Sequence, residues 1–368
     1  MSFYEKVKPF DKFDYDKFFE KVTDTSIRNI LSKDFIDEED FLSLLSPKAE
    51  DYIEEMAQKA HRISLNHFGK SILLYTPMYL ANYCVNKCVY CGYNVHNQIK
   101  RKKLTLEEVE AEAQIIYNQG FRHILILTGE SRYHTPVSYI KECVTVLRKY
   151  FSSIGIEIYP LEEAEYAELI ETGVDSLTIY QEVYDEAIYK EVHIDGPKAD
   201  YKYRLDAPER ACKAKIHSLG IGALLGLNKW REEAFFTGMH AAYIQKQYPD
   251  VEITLSTPRI RPHAGSYDKI YEVTDRNLVQ VMLAYKIFLH RVGLNITTRE
   301  RAEFRDNLIP LGVTKMSAGV STNVGGHATE DKGEKQFEIA DGRDLEAIKR
   351  TIAANGYNPI LKDWQCLK

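Results

Sequence analysis

Three cysteines fall within eight positions, in Cys84-Val-Asn-Lys-Cys88-Val-Tyr90-Cys91. They are spaced by three and then two residues, and no fourth cysteine stands near them. A structural zinc takes four protein ligands. A [4Fe–4S] cluster held by three thiolates keeps one iron open for a substrate, so the ligand count favours a cluster. A zinc loop completed from afar, or plain core cysteines, are the alternatives. Cys143, Cys212 and Cys366 stand alone and read as small buried hydrophobes.

Thiols on a loop need a frame to hold them. From Ile72 onward short apolar runs alternate with amphipathic helical stretches, the pattern of parallel βα units. Strands are expected near 72–76, 122–127, 155–159, 176–180, 219–225, 252–257, 293–298 and 313–318. Eight such units close into a TIM-type (β/α)8 barrel, an α/β fold whose chemistry sits at the carboxyl ends of the strands. The cysteines follow the first expected strand. Before it, Ser46 and Pro47 make a helix start, with Ala49, Tyr52, Ile53, Met56, Ala60 and Ile63 at helical spacing. Thr105 and Glu108 form a capping box, and Gly120 supplies a left-handed stop. The expected organisation is a helical lead-in over 1–70, the barrel over 71–325 and a C-terminal extension over 326–368.

The 368 residues are 44% hydrophobic and 28% charged, which supports one large core and no long disordered tract. The formal charge of −6 is spread over both signs, so no basic stripe points to nucleic acid or anionic lipid. No apolar run approaches the roughly 20 residues of a membrane span. The start, MSFYEKVKPFDKFDYD, lacks the apolar stretch of a signal peptide, so a cytoplasmic protein is expected.

The cysteine spacing, with Tyr90 before the last thiol, resembles the signature of the radical S-adenosylmethionine (SAM) superfamily. That resemblance implies a [4Fe–4S] cluster whose open iron takes the amino and carboxylate groups of S-adenosyl-L-methionine. Reductive cleavage then gives a 5′-deoxyadenosyl radical. Thr128-Gly129-Glu130, at the end of the second strand, is similar to the superfamily's Gly-Gly-Glu segment, with Thr128 replacing the first glycine. The implied role is binding the methionine amino group. Taken alone, the same triplet is a common strand-to-loop turn. Arg204 lies where related barrels carry a cation for the methionine carboxylate, and its fork suits that group. A surface ion pair is the other reading.

A longer series of matches resembles one family, the tyrosine lyases of the thiazole pathway, or 2-iminoacetate synthases. It includes Cys91-Gly92-Tyr93, Ile99-Lys100-Arg101-Lys102, Pro160-Leu161-Glu162, Tyr180-Gln181-Glu182, Pro258-Arg259-Ile260-Arg261-Pro262, Thr298-Arg299-Glu300, Ser317-Ala318 and Lys362-Asp363-Trp364. The resemblance implies cleavage of the Cα–Cβ bond of L-tyrosine to 2-iminoacetate and p-cresol. It also implies a flavodoxin- or ferredoxin-type reductant, and thiazole synthase as the recipient of the labile imine.

A site for free tyrosine needs a cation for the carboxylate, a polar group for the phenol and enclosure against water. Arg299 and Ser317, at the ends of the seventh and eighth strands, are expected to grip the carboxylate. Arg259 and Arg261 alternate about Ile260, so one of them is expected to face the cavity. Tyr180, Gln181 and Glu182 close the fourth strand and are candidates for the wall of the substrate or the adenosyl space. His96, His193, His263 and His327 receive no role. The nearest rival is the hydrogenase-maturation type of tyrosine lyase, which carries further cysteines in a C-terminal extension. Here only Cys366 follows the barrel, which is expected to count against that rival. A barrel that binds metal without catalysis is the remaining alternative.

Overall fold

The computed structural model describes residues 2–265, 267–328 and 331–362. Cys366, like Asp363 and Trp364, lies outside these residues. Eight strands form the sheet at its centre: β1 (Ser71–Ala81), β2 (His123–Thr128), β3 (Ser153–Glu157), β4 (Ser176–Thr178), β5 (Ser218–Gly222), β6 (Glu252–Ser256), β7 (Gly293–Ile296) and β8 (Lys315–Ser317). Each pairs parallel with the next, and β1 pairs with both β2 and β8, so the sheet closes into the expected barrel. All residues of β1 after Ser71 are buried, as a strand covered on both faces requires. The eight expected runs all became strands, although several end two or three residues earlier than the apolar pattern suggests.

A ninth strand was not expected. Asn358–Ile360, β9, pairs parallel with the first three residues of β1. Its central residue is Pro359, which is tolerated because the strand lies at an edge and needs no donor on its outer side.

The local signals in the sequence hold with one adjustment. Thr105 Oγ1 accepts the Glu108 N–H at 3.2 Å, the Glu108 carboxylate accepts the Thr105 N–H at 2.9 Å, and the helix Leu106–Asn118 follows. Gly120 then turns the chain at φ +109°. Ser46 Oγ accepts the Ala49 N–H at 3.2 Å, but the first turn, Lys48–Tyr52, is a 3-10 helix and α geometry starts at Ile53. Such tight turns are frequent at helix starts. The helix Ile53–Phe68 buries Met56, Ala60 and Ile63 and packs against the helix Asp275–Phe288. Among the described residues no helix is long and apolar enough to cross a membrane.

Candidate active site at the barrel mouth

Beyond a register shift between Tyr79 and Ala81, β1 delivers the chain to the cysteine loop. This loop has almost no regular structure, so other groups must fix it. Arg101 does much of that work, donating to the carbonyls of Asn82 at 2.6 Å, Tyr93 at 2.9 Å and Asn94 at 2.7 Å. Asn94 and Asn97 donate to the carbonyls of Cys88 at 2.9 Å and Cys91 at 3.2 Å. A side chain at Gly129 would run into the Tyr83 carbonyl, and one at Gly92 into the Gln336 carbonyl. Glycine at both positions lets the strand end and the C-terminal loop close on the thiols.

Cys84 and Cys91 both act electrostatically on Cys88, and Cys84 on Cys91, although among the described residues no three ligand side chains converge as they would on a single metal ion. Burial pushes the Cys88 thiol up to about 12, and charge on Cys91 and Cys84 acts in the same direction. Burial and then Cys84 raise Cys91, which the Tyr93 N–H and Gln336 oppose. The Gln336 side-chain amide lies 3.9 Å from the Cys91 sulfur. Thiols held this way favour deprotonation only when a cation replaces their protons. A donor set of three soft sulfurs, with amide donors on one of them, suits an iron–sulfur cluster.

Groups that follow two other strands, β2 and β4, close on this loop. Glu130 follows β2, and its carboxylate accepts from Asn86 Nδ2 at 2.7 Å, while its carbonyl accepts the Val85 N–H at 2.9 Å. Tyr90 is buried, with its hydroxyl 2.7 Å from His193 Nε2. His193 Nδ1 faces the Tyr189 carbonyl at 2.9 Å, so Nδ1 carries the proton and Nε2 accepts from Tyr90. Burial, then Lys198 and Arg204, keep that imidazole neutral. Arg204, 7% exposed, donates Nε to the Tyr180 carbonyl at 2.7 Å and lies 3.7 Å from Glu182. Burial raises the Glu182 carboxyl, but Lys198 at 2.8 Å and then Arg204 outweigh it and hold the acid below its ordinary value. Glu182 adopts φ +70°, an uncommon conformation for a residue with a side chain.

Inside the mouth lies a small cavity walled by β1, β2, β3 and β8 and by the segments after β4, β7 and β8. Tyr79, Leu127, Glu157, Tyr180, Arg299 and Ser317 line it. Arg299 stacks on Phe337, 3.5 Å from its ring centroid, and among the described residues no carboxylate forms an ion pair with it. Ser317 Oγ accepts the Thr298 N–H at 3.1 Å. A second arginine, Arg305, supports this corner from behind, donating to the Ser317 carbonyl at 2.5 Å and to Asp341. Burial pushes the Glu157 carboxyl up to about 7, against the pull of Arg299.

The structure thus brings Cys84, Cys88, Cys91, Tyr90, Gly129, Glu130 and Arg204 around one loop, and Arg299 with Ser317 around one cavity. It does not bring Arg259 there. Arg259 donates to Glu300 at 3.0 Å and to the Val273 carbonyl at 2.9 Å, and pairs with Asp275 at 2.9 Å. Its charge braces the segment after β6, because Glu300 follows β7 and reaches it first. Arg261, the other of the pair, has a buried Nε with no partner among the described residues. Gln181 is buried, both its side-chain amide atoms lack a hydrogen-bond partner among the described residues, and it is not among the residues lining the cavity. Glu157, His193, Asn86, Arg101 and Gln336 carried no functional expectation. For Glu157 the rule of strand ends was available, but the strand reading ran two residues too far and left this acid in mid-strand.

A closed parallel barrel with three thiols on the loop after its first strand defines a class of protein, and comparison with known proteins agrees. The profile of the Radical SAM superfamily matches residues 78–238, and that of the Biotin and Thiamin Synthesis associated domain matches 256–358. The 2-iminoacetate synthases of Salmonella typhimurium and Escherichia coli are 36% and 37% identical to this chain over 343 residues, 93% of it and 91% of each relative. The crystal structure of HydG, a maturase of the [FeFe]-hydrogenase, superposes with a TM-score of 0.91 at 31% identity, over 96% of this chain and 80% of that one. The chain belongs to the radical SAM superfamily and, within it, to the 2-iminoacetate synthase family.

Proposed function

We propose that this chain is a carbon–carbon lyase that cleaves the Cα–Cβ bond of L-tyrosine to 2-iminoacetate and p-cresol. The observation that carries the reading is Arg299, which has no ion-pair partner among the described residues and lines one cavity with Ser317. In a chain similar over 93% of its length to 2-iminoacetate synthases, that cation is the natural seat of an amino-acid carboxylate.

When bound on Cys84, Cys88 and Cys91, a [4Fe–4S] cluster supplies the electron that cleaves S-adenosylmethionine and so provides the 5′-deoxyadenosyl radical. The remaining roles belong to the chain. Glu130 holds the methionine amino group and Arg204 the methionine carboxylate, two charges of opposite sign that feel one another across the loop. Tyr90, fixed by His193, packs beneath the cysteines as a wall of the cofactor space. Arg299 and the Ser317 hydroxyl take the tyrosine carboxylate. Tyr79, Leu127 and Phe337 exclude water, which protects a radical from quenching. The reading treats 1–70 as a helical lead-in, 71–325 as the barrel and 326–368 as an extension whose Gln336 reaches the cysteine loop.

An imine hydrolyses readily, so transfer to a thiazole synthase and reduction by a flavodoxin- or ferredoxin-type donor complete the reading, in a cytoplasmic setting. A second reading is a tyrosine lyase of the hydrogenase-maturation type, favoured by the close superposition on HydG. Anaerobic incubation of reconstituted protein with adenosylmethionine, dithionite and tyrosine separates the two. Equal amounts of p-cresol and glyoxylate, the latter from hydrolysed iminoacetate, are expected. Cyanide or carbon monoxide among the products selects the second reading, and 5′-deoxyadenosine without p-cresol rejects tyrosine as substrate.

A further inference from the structure

We propose that Glu157 binds the α-amino group of the substrate, opposite the Arg299 that binds its carboxylate, and takes a proton from it before the N–H bond is broken. The inference rests on the tyrosine-lyase reading above and adds a catalytic residue to it.

Glu157 ends β3 and lines the same cavity as Arg299 and Ser317. Among the described residues no donor is bonded to its carboxylate. Every other acid near the mouth has one: Glu130 has Asn86, Glu182 has Lys198, and Glu300 has Arg259. An ionised carboxylate in an enclosed, phenol-lined space is costly unless a cation meets it. The charged groups that act on it are Arg299, Glu182, Lys198 and Arg204, and the phenols of Tyr75, Tyr79 and Tyr180 share its surroundings. Of the cations, Arg299 has the largest influence, yet no ion pair joins the two. A cavity lined by a cation and an anion that have no ion-pair partner among the described residues is complementary to an amino-acid zwitterion.

The chemistry needs such a group. Taking a hydrogen atom from an ammonium would leave a high-energy radical cation, whereas taking it from a neutral amine leaves a neutral aminyl radical. In the step assigned to Glu157 one N–H bond of the ammonium breaks heterolytically. The electron pair stays on nitrogen, and the proton forms the O–H bond of the Glu157 carboxylic acid. The substrate carries –NH2 into the radical step, and Glu157 returns its proton to water when product leaves. An acid pushed up to about 7 by burial is poised to exchange protons near neutral pH.

The test uses reconstituted protein with adenosylmethionine and no reductant, so that binding is read without turnover. Equilibrium dialysis compares L-tyrosine with 3-(4-hydroxyphenyl)propionate, which lacks only the amino group. Glu157→Gln is expected to weaken L-tyrosine about 10-fold or more, the scale of one charge-assisted contact, and to leave the desamino acid within about 2-fold. Glu157→Asp is expected to recover part of the tyrosine affinity. Equal loss of both ligands would mean a packing or phenol-side role and would overturn the proposal, as would unchanged tyrosine binding in Glu157→Gln. If L-tyrosine fails to bind the wild-type protein, the tyrosine reading falls and takes this inference with it. If it binds wild type and variant alike, only the role of Glu157 falls.

Discussion

At the amino end of the barrel, polar side chains satisfy one another. Ser153 Oγ donates to Asp175 at 3.0 Å and lies 3.0 Å from His123 Nδ1, while Lys315 Nζ lies 3.3 Å from His123 Nε2. One proton arrangement serves all four: His123 donates from Nδ1 to Ser153 and accepts at Nε2 from Lys315. The carboxyl end is different. There Arg299 and Glu157 line a cavity with no ion pair between them or to any other described group, and the Thr128 hydroxyl is buried without a partner. Charges that find partners within the protein act on stability, whereas charges left without them at an enclosed mouth act on ligands. Two arginines near the mouth make the same contrast at close range, since Arg305 is fully buried against Asp341, and Arg299, six positions earlier in the chain, has no ion-pair partner among the described residues.

The comparison is tested most severely at the cysteine loop. Cys88→Ala is expected to abolish iron–sulfur absorbance and reductive formation of 5′-deoxyadenosine, while circular dichroism still shows a folded barrel. The loop is held by Arg101, Asn94 and Asn97 rather than by the thiol, so its loss should spare the fold. Iron content equal to wild type in the variant would remove Cys88 from the ligand set.

The paired arginine gives the next effect. Asp341 accepts from both Arg305 and Arg343, and its side chain has no exposure. Asp341→Ala leaves Arg305 buried without its anion and is expected to cost about 3–5 kcal/mol, read as a lower midpoint of urea unfolding at unchanged slope. Arg299→Ala should do the reverse. Stability should change by less than about 1 kcal/mol, while tyrosine binding weakens roughly 10- to 100-fold, the scale of a hydrogen bond between charged partners. Adenosylmethionine affinity should stay within about 2-fold in that variant. A loss shared by both ligands would make Arg299 a brace like Arg259.

Much of this was legible in the sequence, for identifiable reasons. Buried parallel strands are continuous apolar runs, so all eight could be read, and their ends located Arg299, Ser317 and Glu130. The thiols were legible because their spacing is local. What escaped depends on contacts between distant residues. Arg259 and Glu300 are 41 positions apart, and nothing in Pro258-Arg259-Ile260-Arg261-Pro262 announces that pairing. Tyr90 and His193 are 103 apart, so the hydrogen bond that orients the tyrosine is invisible along the chain. Glu157 was hidden by Ile158 and Tyr159, whose apolar side chains extend the run past the true end of β3. The strand β9 is only three residues long and contains a proline, which argues against a strand until its edge position is known.

The smallest effect belongs to the amino end, and it follows from Asp175. Burial pushes this carboxyl up to about 6, although Ser153 and the Ile154 N–H both donate to it. In the unfolded chain the same group titrates near 4. Between those values the folded protein holds the proton more tightly, so the contribution of Asp175 to stability is fully present below about 4. That contribution is lost as pH rises through 6. Asp175→Asn removes the titration, and the difference in unfolding free energy between wild type and variant isolates it from every other carboxyl. Lowering the pH from 7.5 to 4.5 is expected to move that difference in favour of wild type by about 2 kcal/mol at most, from 1.36 kcal/mol per pKa unit. Parallel pH curves would mean that Lys315, next to His123, already neutralises the Asp175 charge. The amino end would then be as fully paired electrostatically as it is by hydrogen bonds, and the contrast with the unpaired mouth would be sharper still.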